Sequence, residues 1–273
     1  MSISADVEAV AARPSPGAHL KRATENKWVQ RAIVWGALLV LYEIAAIAAG
    51  DFYLPRLGPL VGGFVDIIQD GRLVTIADSM RQLAVGFGLA ALVGIPLGLL
   101  MGRVRLVDYV VGMYVNALFV TSLVAVLPLL IILFGVEFRF RVAVVFLFAV
   151  FFIIVNSAAG GRAADRRLIR TAEAFSASRL RIFWSVVLPS GLPHVFVGLR
   201  LGLANAFSGM ILAEIWVSRG TGAVLEGLGR NRDLPKFLAL ILLITAIAAA
   251  LAWAIKFAER RLMPWAEEVN GRV

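Results

Sequence analysis

Residues 169–193 read IRTAEAFSASRLRIFWSVVLPSGLP, a charged segment in a chain that is 60% hydrophobic. Apolar residues recur in it at helical spacing, first up to Phe175 and again around Trp184. Ser178, between the two runs, is a residue type that often caps a helix N-terminus, and Pro189 limits the second run. The pattern therefore predicts two short helices that break near residues 176–178. Such a helix pair is either a solvated loop or a surface that docks into the groove of a partner.

The composition of the whole chain points to a lipid environment. Its mean hydropathy is +0.85 and only 16% of its residues are charged, which is too apolar for a water-soluble domain. The net charge of +9 is spread between apolar segments without an aromatic and basic recognition module, which argues against nucleic-acid binding. Cysteine is absent and the two histidines are far apart, so no metal site is predicted. No paired carboxylates or histidine cluster indicate a catalytic site, which argues against a membrane-embedded enzyme.

A helix that crosses the hydrocarbon core of a bilayer needs about 20 mostly apolar residues. About six segments meet this requirement, and they lie near residues 32–49, 83–102, 110–134, 142–159, 194–217 and 237–255. The third contains Asn116, Thr121 and Pro128, so it is either one long kinked helix or a short interfacial piece followed by a span. The predicted fold class is an all-α integral membrane protein with about six transmembrane helices.

The segments outside the spans predict the orientation of the chain. Lysine and arginine concentrate in the segments that share a side with the N-terminus, so both termini and residues 169–193 are expected in the cytoplasm. Residues 1–30 are predicted to form a disordered basic cytoplasmic tail, residues 31–265 the transmembrane domain and residues 266–273 a second cytoplasmic tail. On the opposite side, residues 64–68 predict a short interfacial helix. The glycine-rich residues 218–236 are expected there to touch a soluble partner.

Two sets of small and polar residues recur within the predicted spans. Glycines repeat on single helix faces and predict close helix packing, with direct ligand contact as the alternative. These glycines are Gly94, Gly98, Gly102, Gly198, Gly202 and Gly209. Polar side chains in the spans are candidates for the translocation pathway of a hydrophilic solute, with interhelical hydrogen bonding as the alternative. They are Thr121, Ser122, Asn156, Ser157, Asn205 and Ser208.

Three charged residues of the predicted spans are expected to reach the membrane surface with their side chains. Arg200 lies about two turns into its span, and its long side chain is expected to snorkel to the cytoplasmic interface. Glu43 and Glu214 lie toward the opposite ends of their helices, where snorkelling is also expected.

The charged segment resembles the cytoplasmic signature of the membrane permease subunits of ATP-binding-cassette (ABC) importers, E-A-A-x3-G-x9-I-x-L-P. In that family the signature forms coupling helices that sit in a cleft of the ATPase. When the final L-P is matched to Leu188 and Pro189, the pair Glu173 and Ala174 falls out of register. The coupling loop implied by the resemblance comprises Arg170, Thr171, Ala172, Ser176, Ser178, Val186, Leu188 and Pro189.

The wider sequence is similar to the nitrate, sulfonate and taurine branch of these permeases over about residues 35–265. The similarity is carried by VGIPLGLLMGR (93–103), LPLLIILFG (127–135), ASRLRIFWSVVLPSGLPHVFVGLRLGLANAF (177–207) and ERRLMPW (259–265). It implies the type I ABC importer permease fold in the cell inner membrane. It also implies two ATPase subunits, a second permease subunit expected to be a copy of this chain, and an extracytoplasmic solute-binding protein.

The resemblance implies transport without bond chemistry in this chain. No G-x-x-x-x-G-K-[ST] motif is present, so ATP and magnesium are expected in the partner ATPase and no cofactor in this chain. The expected substrate is a small anion such as a sulfonate, taurine or nitrate. The alternatives are a pyrimidine precursor, riboflavin or an aromatic acid. An ion-coupled secondary transporter is the weaker alternative, because it needs ionisable groups inside the membrane and only Arg200 is expected well within a span.

Two residues of the loop, Ser176 and Arg170, differ from the family pattern. Ser176 replaces a glycine and is strained if the turn requires a positive φ. Arg170 reverses the charge of the usual glutamate. The departures imply either a weaker interface or a specialised ATPase with a compensating groove.

Overall fold

The computed structural model describes residues 27–50 and 53–263. The regular elements in these ranges are all helices, which confirms the predicted fold class. Residues 27–30, predicted as the end of the N-terminal tail, belong to the first helix. The predictions for the rest of that tail and for residues 266–273 fall outside the described residues.

The described chain separates into two compact units, and the first ends at Val61. It contains helix α1 (Lys27–Ala49) and the start of helix α2 (Leu57–Gln69). The Glu43 side chain accepts a hydrogen bond from the backbone amide of Leu57 at 3.0 Å. Glu43 therefore caps the first turn of α2, a partner within the protein that the expectation of snorkelling did not include.

The second unit, residues 62–263, contains the remaining helices. In chain order these are α3 (Leu73–Arg103), α4 (Arg105–Val120), α5 (Leu123–Phe134), α6 (Phe138–Ala163), α7 (Arg166–Ala174), α8 (Arg179–Ile182), α9 (Leu188–Trp216), α10 (Gly220–Arg230) and α11 (Leu234–Leu262). A short π-helical turn, Phe183–Val187, continues α8 into α9.

Four continuous helical segments of the described chain are long and apolar enough to cross a membrane. They are Leu73–Arg103, Phe138–Ala163, Arg179–Trp216 and Leu234–Leu262. The predicted third span is broken, because α4 and α5 meet at an angle of 105°. The predicted first span corresponds to the shorter apolar helix Ile33–Ala49. The described residues thus contain four spans, or five if the bent pair counts as one, where about six were expected.

The bend between α4 and α5 has a local cause. Thr121 and Ser122 both have extended backbone conformations, with ψ of 138° and 104°. The Thr121 hydroxyl donates to the carbonyl of Ala117 at 2.8 Å and so satisfies an acceptor at the end of α4. The bend therefore lies at Thr121 and Ser122, the polar pair within the predicted span.

The core of the second unit is helix α6 packed between α3 and α9. Ile153 of α6 is fully buried and fits between two glycines. A methyl group on Gly94 of α3 or on Gly202 of α9 would lie 2.9 Å from its side chain. For each glycine in the predicted helix-packing set, an added methyl group would lie under 3.0 Å from an atom of α6. Side chains larger than hydrogen at these positions would push the three helices apart.

Candidate functional site

The charged loop between α6 and α9 folds as two capped helices, as the sequence predicts. The side chain of Asp165 accepts the backbone amide of Arg167 at 2.8 Å and caps α7. Ser178 accepts the backbone amide of Arg181 at 3.3 Å and caps α8. Each cap satisfies an amide that has no partner within its own helix.

The turn that ends α7 places Ser176 in the left-handed region, with φ of 57°. The amide of Ala177 donates to the carbonyl of Ala172 at 3.0 Å, and the amide of Ser176 donates to the carbonyl of Glu173 at 2.9 Å. These two bonds are the Schellman arrangement, in which the left-handed position is usually glycine. The strain expected from a serine at the family's glycine position is therefore present in the backbone.

A small apolar core holds the two loop helices together. Ala164, Ile169, Ile182 and Val187 are buried against one another. Ala172 and Val186, which match the alanine and isoleucine positions of the family motif, pack against this cluster. The register chosen from Leu188 and Pro189 therefore places the apolar motif positions on the inner side of the loop.

The outer side of the loop exposes large apolar side chains. We call Leu168, Phe175, Leu180 and Trp184 the loop surface, and they are 55%, 83%, 69% and 61% exposed. Thr171 and Arg170 of the motif are also exposed, as are Arg179 and Arg181. Exposed aromatic side chains bordered by arginine are typical of a surface that binds another protein.

At the other end of α9, a buried carboxyl group is the feature that sequence reasoning missed. Glu214 is fully buried, so the expectation that it snorkels is wrong. Its carboxyl oxygens accept hydrogen bonds from the Ser79 hydroxyl and the Gln82 amide of α3, and from the backbone amide of Gly222 in α10 at 2.8 Å. Donors from two other helices therefore replace the water that the carboxyl group would meet at the surface.

Two more charged side chains of the spans have partners within the protein. Arg200 of α9 pairs with Glu259 of α11 at 3.4 Å, a contact the snorkelling expectation did not include. Arg141 of α6 is nearly buried and pairs with Asp78 of α3 at 3.1 Å. Arg141 and Glu214 thus place two ionisable side chains among the buried residues of the described helices.

The candidate pathway residues bond mostly to their own helices. The side chains of Thr121, Asn156, Asn205 and Ser208 each donate to the backbone carbonyl four residues earlier. Ser157 is fully buried where α6 meets Gly98 of α3, and its hydroxyl has no partner within the described part of the chain. Among the described residues, no hydrogen bond joins two members of this set. Their place in a pathway stays a prediction.

The chain has clear relatives among transport proteins. Residues 94–264 match the family model described as binding-protein-dependent transport system inner membrane component. The taurine transport system permease protein of Escherichia coli is 32% identical over 71% of this chain and 71% of that protein. The putative aliphatic sulfonates transport permease protein of Bacillus subtilis is 24% identical over 97% of this chain and 99% of that protein. The formylaminopyrimidine transport permease protein of Halalkalibacterium halodurans is 26% identical over 84% and 92%.

Proposed function

Since the chain belongs to the family of binding-protein-dependent transport system inner membrane components and is a permease subunit of an ABC importer, we propose that it translocates a small organic or inorganic anion into the cell. The proposed substrates are a sulfonate, taurine or nitrate. Relatives named for taurine and aliphatic sulfonates support this class. The relative named for formylaminopyrimidine supports a pyrimidine precursor as the alternative.

The observation that carries the proposal is the loop surface on a capped pair of helices with its own small apolar core. We propose that it docks into a cleft of a separate ATPase subunit, with ATP and magnesium bound by that subunit. A coupling element must keep its shape when the ATPase moves it. The helix caps, the Schellman turn and the small apolar core stabilise the folded conformation of the loop. The charged residues around the loop surface add electrostatic selectivity for the partner.

The proposed orientation puts the loop surface in the cytoplasm and α10 on the opposite face. Both termini then lie in the cytoplasm, and an extracytoplasmic solute-binding protein docks at the glycine-rich end. One chain carries one coupling loop, so a complex with two ATPase subunits requires a second permease subunit, proposed to be a copy of this chain. Alternating access then arises from the two halves rocking against each other.

The loop surface supplies the test. Phe175→Ala combined with Trp184→Ala removes its two most prominent aromatic side chains and is expected to lower co-purification of the cognate ATPase at least about tenfold, since such anchors dominate interface energies. Ile132→Ala, at an 80% exposed position of α5, is the matched control and is expected to leave co-purification unchanged. Equal recovery of ATPase with both variants would contradict docking at the loop surface.

A further inference from the structure

The connection between α9 and α10 is tightly built around Glu214. Ser218 has φ of 51° and closes a Schellman turn, in which the amide of Arg219 donates to the carbonyl of Glu214 at 3.0 Å. Gly220 follows with φ of 77°, and an added methyl group there would collide with the Glu214 carboxyl group. A methyl group on Gly222 would lie 2.5 Å from the carbonyl oxygen of Ile211. Only glycine lets the start of α10 approach α9 this closely.

Tertiary contacts, rather than the local N-cap residue, satisfy the first amides of α10. Arg219 occupies the N-cap position without a side-chain capping bond. Instead, the amide of Thr221 donates to the Ser79 hydroxyl at 3.1 Å, and the amide of Gly222 donates to Glu214 at 2.8 Å. An acidic side chain is also the group that the positive end of a helix dipole favours. The start of α10 is therefore held by side chains from α3 and α9.

The contacts form one buried network around Glu214, in which the Oε1 atom of Gln82 has no hydrogen-bond partner among the described residues. Ser79, Gln82 and Glu214 are 0% exposed and Thr221 is 1% exposed. The Ser79 hydroxyl has two acceptors for its single proton, Glu214 and the Thr75 carbonyl at 3.1 Å. It accepts the amide of Thr221 and lies 2.8 Å from the Thr221 hydroxyl. Removing the Glu214 carboxyl group leaves the side-chain amide of Gln82 and the backbone amide of Gly222 without their acceptor. Water can satisfy these donors only if α10 moves away from α3 and α9.

We infer that Glu214 is a positioning residue that anchors α10 to α3 and α9, so that a binding protein docked on α10 acts on the same helices that pack around α6. This inference rests on the proposed function for the role of the docked partner. The anchor itself rests on the hydrogen bonds and burial of the network.

The anchor is tested by cysteine labelling in membranes, for which the chain is suited because it contains no cysteine. Leu228→Cys reports on the inner face of α10, since Leu228 is 6% exposed. Gly227→Cys reports on an open position of the same helix, where an added methyl group meets nothing within 4 Å. Ala149→Cys, at a fully buried position of α6, reports on the integrity of the core.

In a Glu214→Ala background, maleimide labelling of Leu228→Cys is expected to accelerate about tenfold or more, as the loss of several buried hydrogen bonds implies. Labelling at Gly227→Cys and Ala149→Cys is expected to stay unchanged. An unchanged rate at Leu228→Cys would overturn the anchor. An equal rise at Ala149→Cys would also overturn it, because Glu214 would then support the whole fold rather than position α10.

Exchanging the side chains of Glu214 and Gln82 tests whether α10 is held by the pairing of one carboxyl group with one amide. Glu214→Gln places two amide groups face to face and is expected to loosen α10 and to lower ATP-driven uptake of radiolabelled taurine in the assembled complex. Adding Gln82→Glu restores one carboxyl group and one amide, and is expected to return both labelling and uptake toward the parent values. Loosening without loss of uptake would overturn the transport role. Failure of the unaltered complex to take up taurine would instead count against the proposed substrate and leave the labelling result standing.

Discussion

Gly102 of α3 and Gly161 of α6 bring two helix backbones into direct contact. A methyl group on Gly102 would lie 2.8 Å from the Cα atom of Gly161, and one on Gly161 would lie 2.7 Å from the carbonyl oxygen of Leu99. Neither helix can accept a side chain here without moving. Because α6 is the central helix, this contact sets the spacing of the bundle at the end that carries the loop surface.

Gly102→Ala is therefore expected to destabilise the protein by roughly 1–3 kcal/mol, the usual penalty for an added methyl group in a filled contact. Gly88→Ala lies in the same helix at a position where an added methyl group meets nothing within 4 Å, and it is expected to be neutral or slightly stabilising. The melting temperatures of the two purified variants in detergent measure the difference. Equal melting temperatures would contradict the contact.

Ser176→Gly is expected to stabilise the loop between α6 and α9 by about 1 kcal/mol, because glycine adopts a positive φ without steric cost. Slower hydrogen exchange at the amide of Ala177, which bonds to Ala172, is the measurement. Ser178→Gly is the matched control, since glycine at an N-cap position costs only a few tenths of a kcal/mol. Faster exchange at Ala177 in Ser176→Gly would show that the serine hydroxyl contributes more than the backbone strain costs.

Asp78→Asn is expected to lower stability by roughly 1–3 kcal/mol, because it leaves the nearly buried guanidinium group of Arg141 without its charged partner. Glu137→Gln breaks the pair between Glu137 and Arg219, whose side chains are 67% and 56% exposed. That change is expected to cost less than about 1 kcal/mol. Thermal unfolding of both variants checks the contrast, and a larger loss in Glu137→Gln would contradict it.

The combined change Arg170→Glu and Ser176→Gly brings the loop between α6 and α9 closer to the E-A-A-x3-G pattern. It is expected to preserve or raise ATP hydrolysis when the permease is assembled with an ATPase from a related importer. Assembly with the cognate ATPase in parallel separates the two explanations for the departures. Complete loss of transport only with the cognate ATPase would indicate a partner that has adapted to Arg170 and Ser176.

Local features of the fold were predictable because the chemistry that produces them is local. The break between the loop helices, the cap at Ser178 and the strain at Ser176 all arise within a few residues of one another. The sequence indicates an interruption near Thr121, because polar residues and Pro128 disturb an apolar run, but it does not predict two helices that meet at 105°. The number of spans is not predictable in this way, because apolar composition does not distinguish a crossing helix from a bent pair.

The network around Glu214 was not predictable from pattern alone. Ser79 and Glu214 are 135 positions apart in the chain, and the sequence around either residue does not indicate that the two are in contact. One signal was present, namely an acidic residue at the end of an apolar helix followed by a short glycine-rich turn. A carboxyl group in that place can cap the next helix, which is a better-satisfied state than snorkelling.

ATP-driven import is tested most directly with the permease assembled with its cognate ATPase and binding protein in proteoliposomes. Uptake of radiolabelled taurine, methanesulfonate or nitrate is measured with ATP and magnesium, and separately with a proton or sodium gradient alone. Uptake of at least one of these solutes is expected to require ATP and to persist when the gradients are dissipated. Uptake that proceeds without ATP and follows an imposed ion gradient would contradict ATP-driven import.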